Sequence, residues 1–463
     1  MNELDVYLSG RRAGVLSRGR DGRVRFTYDQ DFRSRQRSPG LSLSLPTAQA
    51  DHGPDAVEPW FDNLLPDNDE VRQRWAARFG ERRPSAFNLL RHVGADCAGA
   101  VQVLPRDHTP GTESSRARVD SADIAGKLRE LRKDDAAWAS SGARGRWSLG
   151  GQQGKIALGR DQHGWYEPGG REPSTHILKV GVVGLDDSDL AEYVTMKAAR
   201  TLGLDVAQAA VMSFEDQHAL VVTRYDRFHR EDGSVVRLHQ EDMCQSLGLW
   251  RASKYQSDGG PSAADIATLL QTSADPRDRP ASLASFAQAN VFSWVAACPD
   301  AHAKNYSLLH LAGRTRLAPL YDLISGAFVM SVDEVKYEVS LAMKMGGKYK
   351  LRDIAARHVE KAAGELRVDP EWLLDEAVGY SAGLPDAVED ALTDLDGLID
   401  KDVARSFVDG IADRTGHLRG YVLSDYTRAR PQPEPEVAGP VWVDEHMRGG
   451  RKVAGHWRGR RSQ

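Results

Sequence analysis

Three polar side chains in the second half of the chain have the types and spacing that phosphoryl transfer requires. Asp300 is followed by Asn305 five positions later, and Asp322 lies beyond a predicted hairpin. One carboxylate can orient or deprotonate an attacking hydroxyl, while an amide oxygen and a second carboxylate can hold magnesium against nucleotide phosphates. Each residue alone is typical of a turn or a strand cap. Together they predict a site that uses ATP and Mg²⁺, with Asp300 catalytic and with Asn305 and Asp322 as metal ligands.

Two further polar residues, His302 and Lys304, lie inside the same loop. A lysine can neutralise a nucleotide phosphate and a histidine can donate a hydrogen bond to one, so both are candidate nucleotide-binding residues. For His302, a hydrogen bond that supports the loop is an equally good interpretation.

A glycine-rich segment reads Ser148-Leu-Gly-Gly-Gln-Gln-Gly-Lys155 and precedes a predicted strand. Glycines let backbone amides converge on phosphate oxygens, because positive φ values cost them little. The segment is not a Walker motif, in which Gly-Lys-Ser/Thr opens a helix. It predicts a flap over the phosphates, although a plain glycine-rich hairpin shows the same pattern. Its candidate nucleotide contacts are Gly150, Gly151, Gln152, Gln153, Gly154 and Lys155.

Three more pieces follow the flap in the order that a nucleotide cleft requires. Lys179, near the end of a predicted strand, can pair with phosphates, and Glu192 on the next predicted helix can orient it. Thr223, Arg224 and Tyr225 follow another strand, and their backbone can meet adenine as a hinge between lobes. Without the other pieces, Lys179 would be an edge-strand lysine beside a solvated glutamate, and the hinge a strand exit with a local Arg–Asp pair.

Hydrophobic periodicity places these residues on definite elements. An apolar stripe from Leu283 to Val295 predicts a helix, which Cys298-Pro299 ends because the residue before proline avoids the helical region. The Asp300 loop therefore leaves a helix end and enters a predicted hairpin around Gly313. Around the flap and hinge, the pattern predicts strands at 155–158, 175–180 and 218–222, and a helix at 188–203.

The composition limits the class of protein. The 463 residues carry 61 Lys and Arg against 66 Asp and Glu, a net charge of −5, with 41% hydrophobic residues. These values predict a globular protein of several structural units and argue against coating nucleic acid by bulk charge. Three separated cysteines permit neither a disulfide framework nor a zinc site. No apolar run is long enough to cross a membrane, and Glu3 and Asp5 interrupt any signal peptide, so we expect a cytoplasmic protein.

Shifts in composition divide the chain into five predicted segments. Residues 1–108 form an N-terminal α/β subdomain of strands with a helix at 67–79, and residues 109–142 form a linker and helix. Residues 143–230 form a small lobe with the flap and hinge, and residues 231–430 a mostly helical catalytic lobe. Residues 431–463 form a Pro-rich linker and basic tail, which we expect to be mobile.

The order of these pieces is that of protein kinases. However, no His-Arg-Asp triplet is present, and Asp322-Leu-Ile replaces Asp-Phe-Gly. The chain resembles the HipA-type serine/threonine kinases, which are toxins of bacterial toxin–antitoxin systems. The segments that carry this resemblance are Trp60–Pro66, Gly94–Ala100, Ser148–Lys155, Thr175–Lys179, Glu192–Tyr193, Arg224–Arg227, Arg237–Asp242, Asp300–Asn305 and Leu320–Asp322.

The resemblance implies an α+β fold: a divergent protein-kinase-like bilobal structure with an N-terminal α/β subdomain and a mostly helical C-terminal lobe. It implies an ATP- and Mg²⁺-dependent kinase that phosphorylates an aminoacyl-tRNA synthetase, most of all the glutamyl enzyme, and so arrests growth. Ser148 resembles the flap serine that such kinases autophosphorylate, which ejects the flap and switches the enzyme off. The implied partners are a dimeric HipB-like helix-turn-helix antitoxin and, chiefly through it, operator DNA.

The sequence departs from the family pattern at two places. Thr223 stands where the hinge often has Glu, and Cys298-Pro299 replaces a glycine-containing segment before the catalytic loop. Two other functions also fit the residues. One is a kinase for a small molecule or a lipid head group, and the other is a non-catalytic partner that tunes an antitoxin–DNA complex.

Overall fold

The computed structural model describes residues 2–34, 40–106, 108–110, 114–137, 147–170, 172–311, 313–424 and 426, and four short strands between 441 and 458. Helix and sheet alternate along the chain, and two lobes enclose a cleft, as the predicted α+β, kinase-like class requires. Within the described ranges, no helix combines the length and the apolar character needed to cross a membrane.

The N-terminal unit is an antiparallel sheet of five strands with four helices, in the strand order β4-β3-β2-β1-β5. Buried and exposed residues alternate along Val24–Tyr28, and Gly22 takes a φ of +78° in the turn before it, as the pattern predicts. The helix predicted at 67–79 begins at Asp69, because the Asn68 side chain caps it. The elements are β1 Glu3–Leu8, β2 Arg11–Arg18, β3 Val24–Tyr28, α1 Gln30–Arg33, β4 Asp51–His52, α2 Pro54–Asp62, α3 Asp69–Arg78, α4 Ala86–Val93 and β5 Val101–Pro105.

A second antiparallel sheet, in the order β10-β11-β9-β7-β8-β6, forms the small lobe. Its edge strand β6 lies in the stretch that we predicted to be linker, which is a correction. The polar composition hid the strand, because Arg116 and Arg118 carry it and both pair with Asp161. The elements are β6 Ser114–Arg118, α5 Ser121–Lys133, β7 Lys155–Asp161, β8 Gly164–Gly170, β9 His176–Lys179, α6 Ser188–Thr201, β10 Ala209–Phe214 and β11 Gln217–Thr223.

The C-terminal lobe is mostly helical. The helix that carries the apolar stripe ends at Val295, shortly before Pro299, because Ala297 takes a φ of +55°. Gly313 turns the predicted hairpin with a φ of +86°. The elements are β12 Arg227–His229, β13 Val235–Arg237, β14 His239–Asp242, α7 Met243–Leu247, α8 Ala263–Ser273, α9 Arg279–Val295, β15 Ser307–Leu311, β16 Arg314–Leu317, α10 Gly326–Val329, α11 Val332–Tyr337, β17 Ser340–Met345, β18 Lys348–Lys350, α12 Ala356–Leu366, α13 Pro370–Thr393 and α14 Lys401–His417.

The tail contains two antiparallel strand pairs, although its composition predicted a segment without regular structure. The strands are β19 Val441–Val443, β20 His446–Arg448, β21 Arg451–Val453 and β22 His456–Arg458, with β19 on β22 and β20 on β21. The Pro-rich stretch at 431–435 lies outside the described residues. The bounds of the five predicted segments stay a prediction.

Two hydrophobic cores organise the molecule. One core lies in the C-terminal lobe around α9 and α13 and includes Phe286, Trp294 and Leu373. The other joins the N-terminal unit to the small lobe, because Trp60 and Phe61 belong to the same buried cluster as Ile156, Leu178 and Val221. The N-terminal unit and the small lobe therefore pack as one body.

Candidate active site

The loop between α9 and β15 presents the predicted catalytic carboxylate. The Cys298 amide bonds back to the Ser293 carbonyl at 2.7 Å, which turns the chain out of α9. Residues Ala303–Asn305 then form one 3-10 turn, and Asn305 Nδ2 donates to the Asp300 carbonyl at 2.7 Å. This bond closes the loop on itself and fixes the two residues relative to each other. The Asp300 side chain remains 48% exposed and faces the cleft.

Tyr255, which the sequence did not single out, holds the Asp300 carboxylate. Its hydroxyl donates to Asp300 Oδ1, and its ring meets the His302 ring edge-on at a centroid distance of 5.0 Å. His302 is buried, and burial lowers its pKa. The His302 Nε2 atom is 3.9 Å from Asp300 Oδ1. Of the two interpretations of His302, this geometry favours support of the loop.

Lys179 joins the two lobes through two carboxylates. Its Nζ lies 2.6 Å from Glu192 Oε1 and 2.5 Å from Asp322 Oδ1. Burial alone would raise the pKa of Asp322, but Lys179 holds that pKa well below its usual range. Burial raises the pKa of Glu192 to about 7 even beside Lys179. Asp322 also takes a φ of +60°, an uncommon conformation for this residue type that is typical of functional sites.

The donor set around Asp322 suits magnesium bound together with a nucleotide. Among the described residues, no three His, Cys, Asp or Glu side chains gather as metal ligands. Asp322 and Asn305 line the same cleft, and the amide nitrogen of Asn305 is already used within the loop, which leaves its oxygen for a cation. Mg²⁺ is commonly held by one or two protein oxygens plus substrate phosphates. The two residues fit that chemistry.

The glycine-rich flap lies over the cleft, and five of its six predicted contact residues line it. Gly150, Gly151, Gln152, Gln153 and Lys155 all line the cleft. Lys155 Nζ donates to the Gly150 carbonyl at 2.6 Å, and burial with the nearby Lys179 lowers its pKa to about 8. Gly154 instead packs behind the flap, where an added Cβ would meet the Asp135 carbonyl oxygen at 3.0 Å. Its contact with the nucleotide stays a prediction.

Ser148 at the start of the flap is fully buried against the N-terminal unit. Its Oγ donates to the Leu64 carbonyl at 2.7 Å, and its amide donates to the Asp96 carbonyl at 2.9 Å. The Asp67 amide donates to the Gly151 carbonyl at 2.8 Å. The N-terminal unit thus holds the flap in its inward position.

The three predicted hinge residues have different surroundings. Thr223 and Tyr225 line the cleft, and the Tyr225 hydroxyl donates to Gln240 Oε1. The Arg224 guanidinium is buried and donates to Asp226, Ser174 and the Cys97 carbonyl. The Arg224 guanidinium is thus part of a structural network. Its backbone is bonded too, since its amide donates to the Thr175 carbonyl at 3.0 Å and its carbonyl accepts from the Arg227 amide at 3.2 Å.

Lys304 forms an ion pair with a carboxylate of the N-terminal unit, although the sequence made it a candidate phosphate contact. Its Nζ lies 2.6 Å from Asp67 Oδ1, and Lys254 Nζ lies 3.4 Å from the other oxygen of that carboxylate. The pKa of Asp67 falls to about 2, because the two lysines outweigh the burial that would raise it. Asp67 directly follows the Trp60–Pro66 segment, and this position is the only signal that could have drawn attention to it.

The cleft that these residues surround has a volume of about 790 Å³. Clefts that enclose cofactors and nucleotides fall in this range. Its lining includes the cations Lys155 and Lys179 and the oxygen donors Asn305 and Asp322, together with the flap. This arrangement can neutralise a polyphosphate and present a hydroxyl to it.

Comparisons with known proteins agree with this geometry. The family model of the HipA-like C-terminal domain matches residues 147–384, and that of the HipA N-terminal domain matches residues 4–104. The protein Y4mE of Sinorhizobium fredii is 32% identical over 421 residues, which cover 90% of this chain and 98% of that protein. The serine/threonine-protein kinase toxin HipA of Shewanella oneidensis is 26% identical over 358 residues, covering 75% of this chain and 79% of that protein.

A solved structure supports the fold independently. The toxin HipA of Shewanella oneidensis, in a complex with HipB and its operator DNA, matches with a TM-score of 0.77 at 23% identity. The match covers 92% of this chain and 100% of that chain. Both family models, a relative above 30% identity and the shared fold lead to one conclusion: the chain belongs to the HipA family of serine/threonine-protein kinase toxins.

Proposed function

We propose that this protein transfers the γ-phosphoryl group of ATP to a serine or threonine hydroxyl of a protein. The carrying observation is that Lys179, Glu192 and Asp322 form one charge cluster in the cleft that also holds Asp300 and Asn305. The Asp300 carboxylate orients the attacking hydroxyl and takes its proton as the oxygen bonds to phosphorus. The bond to the β-phosphate oxygen then breaks, and Lys179 neutralises charge on the phosphates.

Asn305 and Asp322 would hold Mg²⁺, which when bound supplies positive charge to the phosphate oxygens. The flap residues Gly150 to Gln153 would cover the phosphates with their backbone amides. The hinge at Thr223–Tyr225 would receive adenine, although the side chain, amide and carbonyl of Arg224 itself are all bonded elsewhere.

We propose further that autophosphorylation of Ser148 switches the kinase off. A phosphoryl group carries up to about −2 charge and cannot occupy the fully buried site beside the Leu64 carbonyl. The flap would have to leave its inward position, and the nucleotide would lose its cover.

The biological role follows from the family. We propose growth arrest by phosphorylation of a translation component in the cytoplasm, such as an aminoacyl-tRNA synthetase of the glutamyl type. The Shewanella relative was solved with HipB and operator DNA, and we propose a HipB-like helix-turn-helix dimer as the antitoxin of this chain, with DNA reached chiefly through it.

Radiolabelled ATP with the purified chain tests the reaction. We expect label on Ser148 and on a protein substrate, and we expect Asp300→Asn to reduce both by about 10³-fold or more because the hydroxyl loses its acceptor. Asp216→Asn, at an exposed site, is the matched control. If Asp300→Asn labels substrate and arrests growth as the parent does, Asp300 is not the catalytic residue.

The same assay separates the two alternative functions. Label that appears only on a small metabolite or a lipid would show a small-molecule kinase. Growth arrest that survives in Asp300→Asn would show a non-catalytic partner of an antitoxin–DNA complex. A Ser148→Ala variant is expected to lose self-labelling while it still labels substrate, and label persisting on that variant would remove Ser148 from the mechanism.

A further inference from the structure

A second, smaller cavity lies beside the cleft, on the side of the C-terminal lobe. Its volume is about 210 Å³, and Met330 belongs to the walls of both cavities. The short helix α10 forms one wall, and its Gly326 amide donates to the Ala297 carbonyl at 2.8 Å, directly before the Asp300 loop. Gly410 of α14 also lines the cavity and packs against the Ala327 carbonyl of α10, where an added Cβ would come within 2.4 Å. Helix α10 thus connects the cavity wall to the segment that precedes the Asp300 loop.

The mouth of this cavity is an exposed apolar patch. Met330, Val332 and Tyr337 are 41%, 49% and 46% exposed, and all three line the cavity. Water-exposed apolar side chains gathered around one opening are typical of a surface that binds another protein. Methionine adapts to different partner shapes, and tyrosine supplies contact area at low entropic cost. At 210 Å³ the cavity is smaller than most small-molecule sites and suits one apolar side chain.

Arg414 lies at the floor of the cavity and is only 7% exposed. Its guanidinium donates to the Trp294 carbonyl at 2.7 Å, at the last turn of α9, so part of its role is to cap that helix. Its Nε, however, is buried and has no hydrogen-bond partner among the described residues. No carboxylate of the described ranges forms an ion pair with it either. Burial lowers its pKa to about 10.

Helix capping alone leaves Arg414 as a buried cation in the wall of the cavity, without an ion-pair partner among the described residues. An unpaired buried charge is unfavourable, and an incoming anion would relieve it. The rim has the same sign, since the cations Lys336 and Arg352 line it against the single acid Asp413. The field at the opening therefore attracts a negatively charged group.

We propose that this cavity, which we call the Arg414 pocket, docks the protein substrate: an apolar side chain enters it while an adjacent Asp or Glu carboxylate pairs with Arg414. The inference rests on the proposed kinase function and adds a rule for choosing substrates. Because Met330 is common to both cavities, a segment held here runs on toward Asp300. The basic tail of the chain does not suit the pocket, because residues 446–463 carry six Lys and Arg.

Binding can be measured without any catalysis. The probes are acetyl-Leu-Asp-amide and its neutral isostere acetyl-Leu-Asn-amide, titrated into the full chain with methyl-labelled methionines and followed at the Met330 methyl signal. We expect the acidic dipeptide to bind at least about fivefold more tightly, since one charge-assisted hydrogen bond contributes that much or more. Arg414→Gln should abolish the difference between the two dipeptides.

Three outcomes would overturn the docking proposal. One is a Met330 signal that does not move with either dipeptide. Another is equal binding of the acidic and neutral dipeptides to the wild-type chain. The third is a shift that a saturating, non-hydrolysable ATP analogue abolishes, since that would place the dipeptide in the nucleotide cleft.

Phosphorylation of a peptide library tests the consequence for substrate choice. The library fixes one serine and moves an Asp-Leu or an Asn-Leu pair along the peptide. We expect wild type to prefer the acidic pair at one spacing, and Val332→Ser/Tyr337→Ser to lose that preference by about tenfold. These residues are exposed, so the variant folds, and Phe228→Ser at a 56% exposed position is the matched control.

The two proposals fail in different ways. If wild type labels neither Ser148 nor any protein, the kinase function fails. If wild type labels peptides and the double variant keeps the same acidic preference, the kinase function stands and the Arg414 pocket is not the docking site. If the wild-type chain labels Ser148 but no peptide, the kinase function stands, and the dipeptide titration decides whether the Arg414 pocket is a docking site.

Discussion

At the scale of single residues, the carboxylate that we propose as catalytic depends on a partner that is distant in sequence. The Tyr255 hydroxyl donates to Asp300 Oδ1, and the edge of its ring supports His302. A carboxylate that must face a substrate hydroxyl gains from a fixed orientation, since misplacement by a fraction of an ångström slows transfer. Tyr255 is therefore a positioning residue, and it leaves the second carboxylate oxygen for the substrate.

Replacing Tyr255 by Phe tests this role. We expect kcat to fall about tenfold while KM for ATP changes little, because the variant keeps the ring packing and loses only the hydrogen bond. Steady-state kinetics with a labelled protein substrate measure both constants. Tyr349→Phe on β18 is the matched control. A Tyr255→Phe enzyme with unchanged kcat, or with KM for ATP alone raised, would contradict the assignment.

A second residue, Asp242, should give the folded state a distinct pH dependence. Burial raises its pKa to about 7, from the ordinary value of 3.8. The folded state therefore holds this proton more tightly than the unfolded state, so its contribution to stability is greatest below pH 4 and is lost as the pH rises through 7.

Replacing Asp242 by Asn removes that titration. Since an amide oxygen can still accept the Gln245 amide that Asp242 accepts at 2.8 Å, the helix cap is kept. We expect the variant to gain about 1 kcal/mol relative to wild type between pH 5 and pH 8, after allowance for solvent in the cleft. Urea unfolding at both pH values measures it, and an equal difference at the two values would refute the assignment.

At the scale of elements, a buried charge network fixes the hinge between β11 and β12. Asp96 lies 3.0 Å from Arg227, 3.3 Å from Arg237 and 3.7 Å from Arg224, and it accepts from Ser174 Oγ at 2.6 Å. Burial would raise the pKa of Asp96, but these arginines hold it well below its usual range. The network ties the strand exit to the turn before β5, and so it joins the hinge to the N-terminal unit.

Removing the central charge should loosen the hinge. Asp96→Asn removes one of the two carboxylates that face the buried Arg224 and Arg227, which keep Asp226. We expect a loss of about 3 kcal/mol in the free energy of unfolding. Because the pKa of Asp96 is lowered in the fold, its contribution is present above the unfolded value near 4 and is lost on acidification. Urea denaturation at pH 7 measures the loss. Asp216→Asn, an exposed control, should leave the midpoint in place, and a similar shift in both variants would contradict the prediction.

At the scale of the whole molecule, the N-terminal unit is joined to the segments that form the candidate active site. It shares a hydrophobic core with the small lobe, holds the flap through Leu64 and Asp67, and pairs Asp67 with Lys304 of the catalytic loop. These contacts cross from the first hundred residues to both walls of the cleft. A motion of the N-terminal unit would therefore reach the flap and the catalytic loop together.

Asp67→Asn separates that unit from the catalytic loop. Lys304 would remain as a buried cation without its closest carboxylate, which is expected to destabilise the fold by about 3 kcal/mol. The flap bond from the Asp67 amide survives, because it uses the backbone. We therefore expect a lower midpoint in urea, and kcat reduced more than the affinity for ATP. Asp55→Asn on the same unit is the exposed control. Unchanged stability and turnover would show that the contact is dispensable.

The sequence by itself determined the chemistry and most of the local structure. Asp300 and Asn305 are close in sequence, so their spacing alone predicts one loop. The alternation along Val24–Tyr28 and the apolar stripe from Leu283 to Val295 each predict which side chains are buried. It also gave the order of the kinase elements, because that order follows the chain. Three small-lobe strands, β6, β8 and β10, were not predicted. The arginines of β6 resemble a linker until Asp161 is placed beside them.

The tertiary structure decided which side chains meet. Tyr255 and Asp300 are 45 positions apart, and Asp67 and Lys304 are 237 apart, so no local pattern relates them. The direction of Arg224 depends on Asp226 and on a turn of the N-terminal unit, which a strand-exit motif does not specify. Burial, charge pairing and the floor of the Arg414 pocket arise from packing between distant segments, and the linear order of residues leaves that packing open.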